Sequence, residues 1–115
     1  MSRDELVEYC LSKLGAVETY PFDETTTVFK VKNKMFALSG IGQDPASVNL
    51  KCDPDHAEAL RSIYAAVKPG YHMDKRHWNT VILDGSIPDV EIQEMVDHSY
   101  LLVVAKLSRT DRESL

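Results

Sequence analysis

Twelve residues, Lys68 to Asn79, carry the densest chemistry in the sequence: three cations (Lys68, Lys75, Arg76), two histidines (His72, His77), Tyr71 and the single tryptophan, Trp78. Cations set beside aromatic rings are what phosphate contact and base stacking require. The same residues also suit a plain hairpin in which Trp78 fills core while Lys75 and Arg76 sit at a solvated tip, so residue types alone leave both roles open. Other groupings point to less. Cys52 and His56 lie four apart and His72 and His77 five apart, but no C-x-x-C or H-E-x-x-H pattern fixes a zinc geometry, and the expectation is surface histidines with a half-buried thiol. Cys10 falls on an apolar helical face, where a thiol stays uncharged and unreactive. Gly40-Ile41-Gly42 lacks the third glycine and the strand-to-helix setting of a phosphate loop and reads as a hairpin connection. Asp4, Glu5 and Glu8 offer oxygens to a hard cation, yet acids at the start of a helix are what its dipole favours. No catalytic constellation, metal or cofactor is therefore expected.

The elements that must position these residues follow from capping and periodicity. Ser2 with Glu5 three residues later is a capping-box pattern, and Leu6, Val7, Cys10, Leu11 and Leu14 then share one helical face before Gly15. Thr25 to Lys32 and Met35 to Gly40 are strand-like and flank a short Asn33-Lys34 turn. A two-residue turn there pairs Lys32 with Met35, Val31 with Phe36 and Phe29 with Leu38, sending Phe29, Val31, Phe36 and Leu38 to the core and Lys30, Lys32, Met35, Ala37 and Ser39 to the opposite face. Val48 and Leu50 alternate with polar residues in a third strand, and Asp53-Pro54 supplies an N-cap and N1 proline for a helix with Ala57, Leu60, Tyr64 and Val67 inside. Tyr71 to Met73 and His77 to Leu83 read as a second hairpin turning through Asp74-Lys75-Arg76. Alternation puts Trp78, Thr80 and Ile82 on one face and Asn79, Val81 and Leu83 on the other, and both sets contain large apolar residues. Pro88 opens a last helix with Ile92, Met95, Val96, Ser99 and Val103 on a common face. The predicted fold is an α+β, two-layer domain: helix, three strands, helix, two strands, helix, with a mainly antiparallel sheet and the helices on one face. It spans residues 1–107, and the polar tail 108–115 is expected to fray.

At 115 residues, 43% hydrophobic and 27% charged, the chain suits one soluble globular domain and excludes disordered or fibrous classes. Two cysteines are too few for a disulfide scaffold, the first twenty residues have no secretion-signal pattern, and no apolar run is long enough for a membrane span, so a cytoplasmic location and no membrane role are expected. The net charge of -5 gives no general affinity for polyanions, but it is unevenly spread. Residues 1–29 carry two cations against six acids, residues 30–77 eight against five, and residues 78–115 three against seven. Any anion-facing surface must come from the middle of the chain.

Pro69-Gly70-Tyr71-His72-Met73, Lys75 and His77-Trp78-Asn79-Thr80-Val81 resemble the signature of the bacterial MmcQ/YjbR family, as do Tyr20-Pro21-Phe22, Lys34-Met35-Phe36-Ala37, Leu50-Lys51-Cys52-Asp53-Pro54, and Ser99-Tyr100 with Leu102-Val103. The resemblance runs from the first helix to Lys106, with Asp23 standing where a glycine is common. It implies a frataxin-like (CyaY-like) arrangement and a non-enzymatic DNA-binding role in which paired hairpins act as wings. Lys30, Lys32, Lys75, Arg76 and His77 are then the expected DNA contacts, with Tyr71 or Trp78 as a stacking or wedge residue. The alternative expectations are a protein-interaction module using exposed apolar groups such as Met35 and Trp78, and, behind it, a small-molecule or metal-binding domain. A monomer is expected in each case.

Overall fold

The structure, a computed structural model, describes residues 1–115. The chain runs through α1 (Arg3–Leu11), β1 (Ala16–Thr19), β2 (Thr26–Val31), β3 (Lys34–Gly40), β4 (Ser47–Lys51), α2 (Pro54–Ile63), β5 (Val67–Pro69), β6 (Trp78–Ile82), α3 (Asp89–Ala105) and α4 (Arg109–Glu113). The strands form one antiparallel sheet in the order β1-β2-β3-β4-β6-β5. No helix is long and apolar enough to cross a membrane.

The α+β, two-layer expectation holds, with the helices on one face, but the strand count does not. β1 is an additional edge strand of four residues, too short to announce itself by alternation; it starts just after Gly15, whose φ of +75° turns the chain out of α1. Tyr71 to Met73 is a loop, and the partner of β6 is instead Val67–Pro69. Val67 leaves the helical face assigned to it because α2 stops at Ile63 and Tyr64 is already extended; pairing with Val81 then buries Val67 in the sheet. The tail does not fray. Ser108 caps α4, Leu107 is buried, and the Leu115 side chain lies against Gly15.

The core lies between the sheet and the helices. α3 supplies Ile92, Met95, Val96 and Val103, α1 supplies Leu6 and Cys10, and the strands supply Phe29, Val31, Phe36, Val48, Leu50 and Val81 among others. Leu11 and Leu14, expected on the apolar face of the first helix, are 39% and 64% exposed because α1 ends at Leu11 and only its Leu6–Cys10 stripe meets the sheet.

The β2–β3 register also differs from expectation. The turn is Lys32-Asn33, both at positive φ (48° and 65°), the backbone a two-residue hairpin turn demands, so Val31 pairs with Lys34 and Lys30 with Met35. A one-residue slip would invert every side chain beyond it. The displaced turn leaves Met35 and Phe36 on the faces expected, and the β-bulge at Phe36 is what makes such a slip: pairing resumes at Phe29–Ala37, so Phe36 and Ala37 both face the helices, and Ser39, paired with Thr27, follows them instead of the uncovered face. Its consequence is that Leu38, paired with Val28, turns to the uncovered face instead of the core, and Ala37 takes the place expected for it.

Candidate functional site

The uncovered face is read directly from the register. Lys30 of β2 is paired to Met35 of β3, and Lys51 of β4 to Trp78 of β6; the next row holds Val28, Leu38, Asn49, Thr80 and Lys68. Val28, Leu38 and Trp78 form a small second core against Met35 and Met73. The loop from Gly70 to His77 folds over this face as a flap. Gly70 N–H donates to the Trp78 carbonyl at 2.9 Å, and a Cβ on Gly70 would stand 2.8 Å from the Trp78 Cβ, so the strand-to-flap junction admits only glycine. Tyr71 N–H donates to Thr80 Oγ1 at 3.0 Å, and Lys75 Nζ donates back to the Gly70 carbonyl at 3.0 Å. From the helix side, Arg61 of α2 donates to Asn79 Oδ1 at 2.7 Å and to the Lys75 carbonyl, tying α2, β6 and the flap together.

Between the flap and the loops around Phe22 and Gln43 lies a groove of about 760 Å³. Its apolar lining comprises Phe22, Met35, Leu38, Tyr71, Met73 and Ile82. Asn49, Thr80, Gln43 and Ser47 supply hydrogen-bonding groups. Asp23 is the one formally charged lining residue; N–H donation from Thr25, then its hydroxyl, holds the carboxyl below its ordinary range and hence ionised at neutral pH. Phe22 and Tyr71 are 64% and 69% exposed, and the Tyr71 ring rests against His72 with centroids 4.0 Å apart.

Each residue named from the sequence has a definite place. Lys30 projects from the uncovered face beside Asn33, and Lys32 forms the β2–β3 turn. Arg76 is exposed on the flap, and His77 stands 4.0 Å from Asp74. Lys75 is exposed but tethered to Gly70. Trp78 is on the uncovered face and only 9% exposed, because Val28, Leu38 and Met73 enclose it; it is a packing residue and no free stacking plate. Tyr71 is the aromatic ring left open. The four ion pairs of the molecule are Met1–Asp89, Lys13–Asp97, His77–Asp74 and Arg109–Glu113, so Lys30, Lys32, Lys34, Lys51, Lys68, Lys75 and Arg76 are all unpaired. Sequence reading missed Phe22, Gln43 and Asn49 of the groove and the tether Arg61–Asn79. The one signal in the sequence was a polar Asn79 amid the apolar residues of a central strand.

Elsewhere, His56 and His98 pack edge to face at 5.2 Å, and His98 Nε2 accepts the Asp53 N–H at 3.2 Å. No group of three His, Cys, Asp or Glu side chains is arranged to hold a metal ion. Burial pushes the Cys10 thiol up to about 12 and the Cys52 thiol up to about 11, so neither is a thiolate at neutral pH.

One antiparallel sheet with helices on one face, and a flap and groove on the other, defines a small two-layer α+β domain with an open sheet surface. The sequence model of the YjbR family matches residues 11–102, and the chain belongs to that family. It is 39% identical over 115 residues to the Escherichia coli K12 protein YjbR, covering 100% of this chain and 98% of that one. It is 26% identical over 117 residues to Bacillus subtilis YyaQ, covering 89% of this chain and 98% of that one. A crystal structure of the Deinococcus radiodurans protein DR2400 superposes with a TM-score of 0.93 at 41% identity, covering 98% of this chain and 86% of that chain. A Pseudomonas syringae protein gives a TM-score of 0.77 at 28% identity over 89% of this chain and 98% of that chain.

Proposed function

We propose that this is a non-catalytic, cytoplasmic binding domain whose uncovered sheet face and flap hold a nucleic acid, with DNA the leading polymer. The observation that carries the reading is that none of the eight Lys and Arg residues in the basic middle of the chain has an ion-pair partner, while three of the four ion pairs lie outside it. Arg61 is spent on Asn79 and the Lys75 carbonyl, which leaves Lys30, Lys32, Lys34, Lys51, Lys68, Lys75 and Arg76. Unpaired cations keep their charge for phosphates and release counterions on contact. The reading takes the fold as the CyaY-like arrangement that the resemblance implies, with β2–β3 and β5–β6 as the two wings of one face. Lys30, Lys32, Lys51 and Arg76 are the phosphate contacts in this reading. Lys75 contributes charge but also holds the flap, and Trp78 supports the surface from within.

The test is a titration of a labelled DNA with purified protein at several salt concentrations. Lys30→Glu with Arg76→Glu is expected to weaken binding to all sequences and to lower the salt slope by about 2, one for each phosphate no longer neutralised. Lys106→Glu, exposed at the end of α3 on the helix side, should change neither. No binding at low salt would sink the reading, and a protein-interaction role, favoured by exposed Phe22 and Tyr71, would replace it.

A further inference from the structure

The cations and the groove divide the uncovered face between them. Lys68 is the register partner of groove-lining Thr80 and Lys30 of groove-lining Met35, and Lys51 stands two positions beyond groove-lining Asn49 on the same face of β4, so cations stand beside the groove from β5, β2 and β4. Inside it there is no Lys or Arg, and Asp23 is ionised. An anionic group is therefore favoured on the rim and disfavoured within. The complement of that pattern is a ligand with an uncharged body and an anionic backbone. Exposed Phe22 and Tyr71 offer flat apolar rings, and Tyr71 is braced by His72. The floor can also read a polar edge: Gln43 Oε1 accepts from Ser47 Oγ at 3.2 Å, which leaves its amide N–H groups uncommitted, and the Asn49 amide nitrogen makes only a long 3.5 Å contact with the Tyr71 carbonyl.

We propose that the groove seats an unstacked base of a single-stranded nucleic acid, with Lys68, Lys30 and Lys51 holding the phosphates on either side of it. The inference rests on the nucleic-acid reading above and narrows it to the single-stranded form. A duplex keeps its bases stacked inside and offers this face only phosphates, which would leave the rings of Phe22 and Tyr71 without a partner. A single strand can turn a base out onto aromatic side chains, and every base has the π-face such stacking uses.

The experiment compares three probes by fluorescence anisotropy at one salt concentration: a twelve-nucleotide thymidine strand, which has little self-stacking to lose, an abasic strand of equal phosphate number, and a hairpin duplex. The thymidine strand should bind at least about 10-fold more tightly than either of the others. Tyr71→Ala and Phe22→Ala should each weaken thymidine-strand binding about 10-fold while leaving abasic affinity and the salt slope unchanged. Both side chains are largely exposed, so the variants should melt like the parent protein. Equal affinity for the thymidine and abasic strands, or no response to both alanine changes, would overturn the base-seating inference and leave the electrostatic reading in place. Failure of all three probes to bind would overturn both.

Discussion

The two faces of the sheet are made by the same six strands and obey different rules. The helix-covered face joins a core of 17 buried residues, and its buried polar side chains have committed partners: Arg3 bonds Thr27 at 2.6 Å, Arg61 bonds Asn79, and Ser99 donates to the Phe36 carbonyl at 2.6 Å while accepting from the Lys51 N–H at 2.9 Å. The uncovered face buries only Val28, Leu38 and Trp78 as a cluster and leaves Phe22 and Tyr71 largely in water. Burial free energy grows with apolar area removed, so the first face carries most of the stability and the second is free to carry a surface for a partner.

The sharpest way to break this comparison is to truncate one buried residue from each face. Phe36→Ala empties a fully buried site in the main core and should cost about 3–5 kcal/mol, whereas Leu38→Ala, 7% exposed beside the groove, should cost about 2–3 kcal/mol because its surroundings can collapse. Urea denaturation measures both, and equal costs would mean that the uncovered face is as tightly built as the core. Ser99→Ala comes next. It removes one oxygen yet leaves the bulge carbonyl of Phe36 and the N–H of Lys51 without a partner, so a loss of about 2 kcal/mol is expected, well above that of an exposed serine. A cost near zero would show that the bulge does not depend on α3.

The smallest expected effect is one of pH, and it belongs to the helix layer. Burial, then the charge of neighbouring His56, lowers the His98 pKa below the ordinary 6.5. The unfolded chain therefore takes up this proton more readily than the folded one, so the contribution is intact above about 6.5 and is lost as pH falls through the lowered folded value. His98→Gln keeps an acceptor within reach of the Asp53 N–H and should lose less stability than the parent between pH 7 and pH 5. Parallel pH profiles for the two proteins would remove His98 from the explanation.

Much of the helix layer is legible from local pattern. The α3 stripe Ile92, Met95, Val96, Ser99 and Val103 is the buried set of that helix, and the Ser2–Glu5 capping box is present with both of its hydrogen bonds. These features depend on residues within a few positions of one another, so local periodicity reveals them. The uncovered face is harder to read. Its turn is displaced by one residue from the predicted site, and the bulge at Phe36 reverses the facing of the β3 residues beyond it, an event that alternation within either strand cannot announce. The start of the flap has the residue pattern of a strand, and the groove draws Phe22, Gln43 and Tyr71 from three loops that are far apart in the chain.

By itself the sequence determined what local chemistry can enforce: where helices start, which helical stripe is apolar, that the sheet is mainly antiparallel, and that positive charge is concentrated between residues 30 and 77. Only the tertiary structure decided which way Trp78 points. Either face of β6 offered large apolar residues, so hydrophobicity could not choose. The choice came from partners distant in sequence: Val67 and Val48 pair with Val81 on the helix side, and Arg61 reaches Asn79 so that its amide can be buried there. Trp78 and Thr80 were thereby turned to the uncovered face, where the tryptophan supports the flap and the threonine forms part of the groove floor.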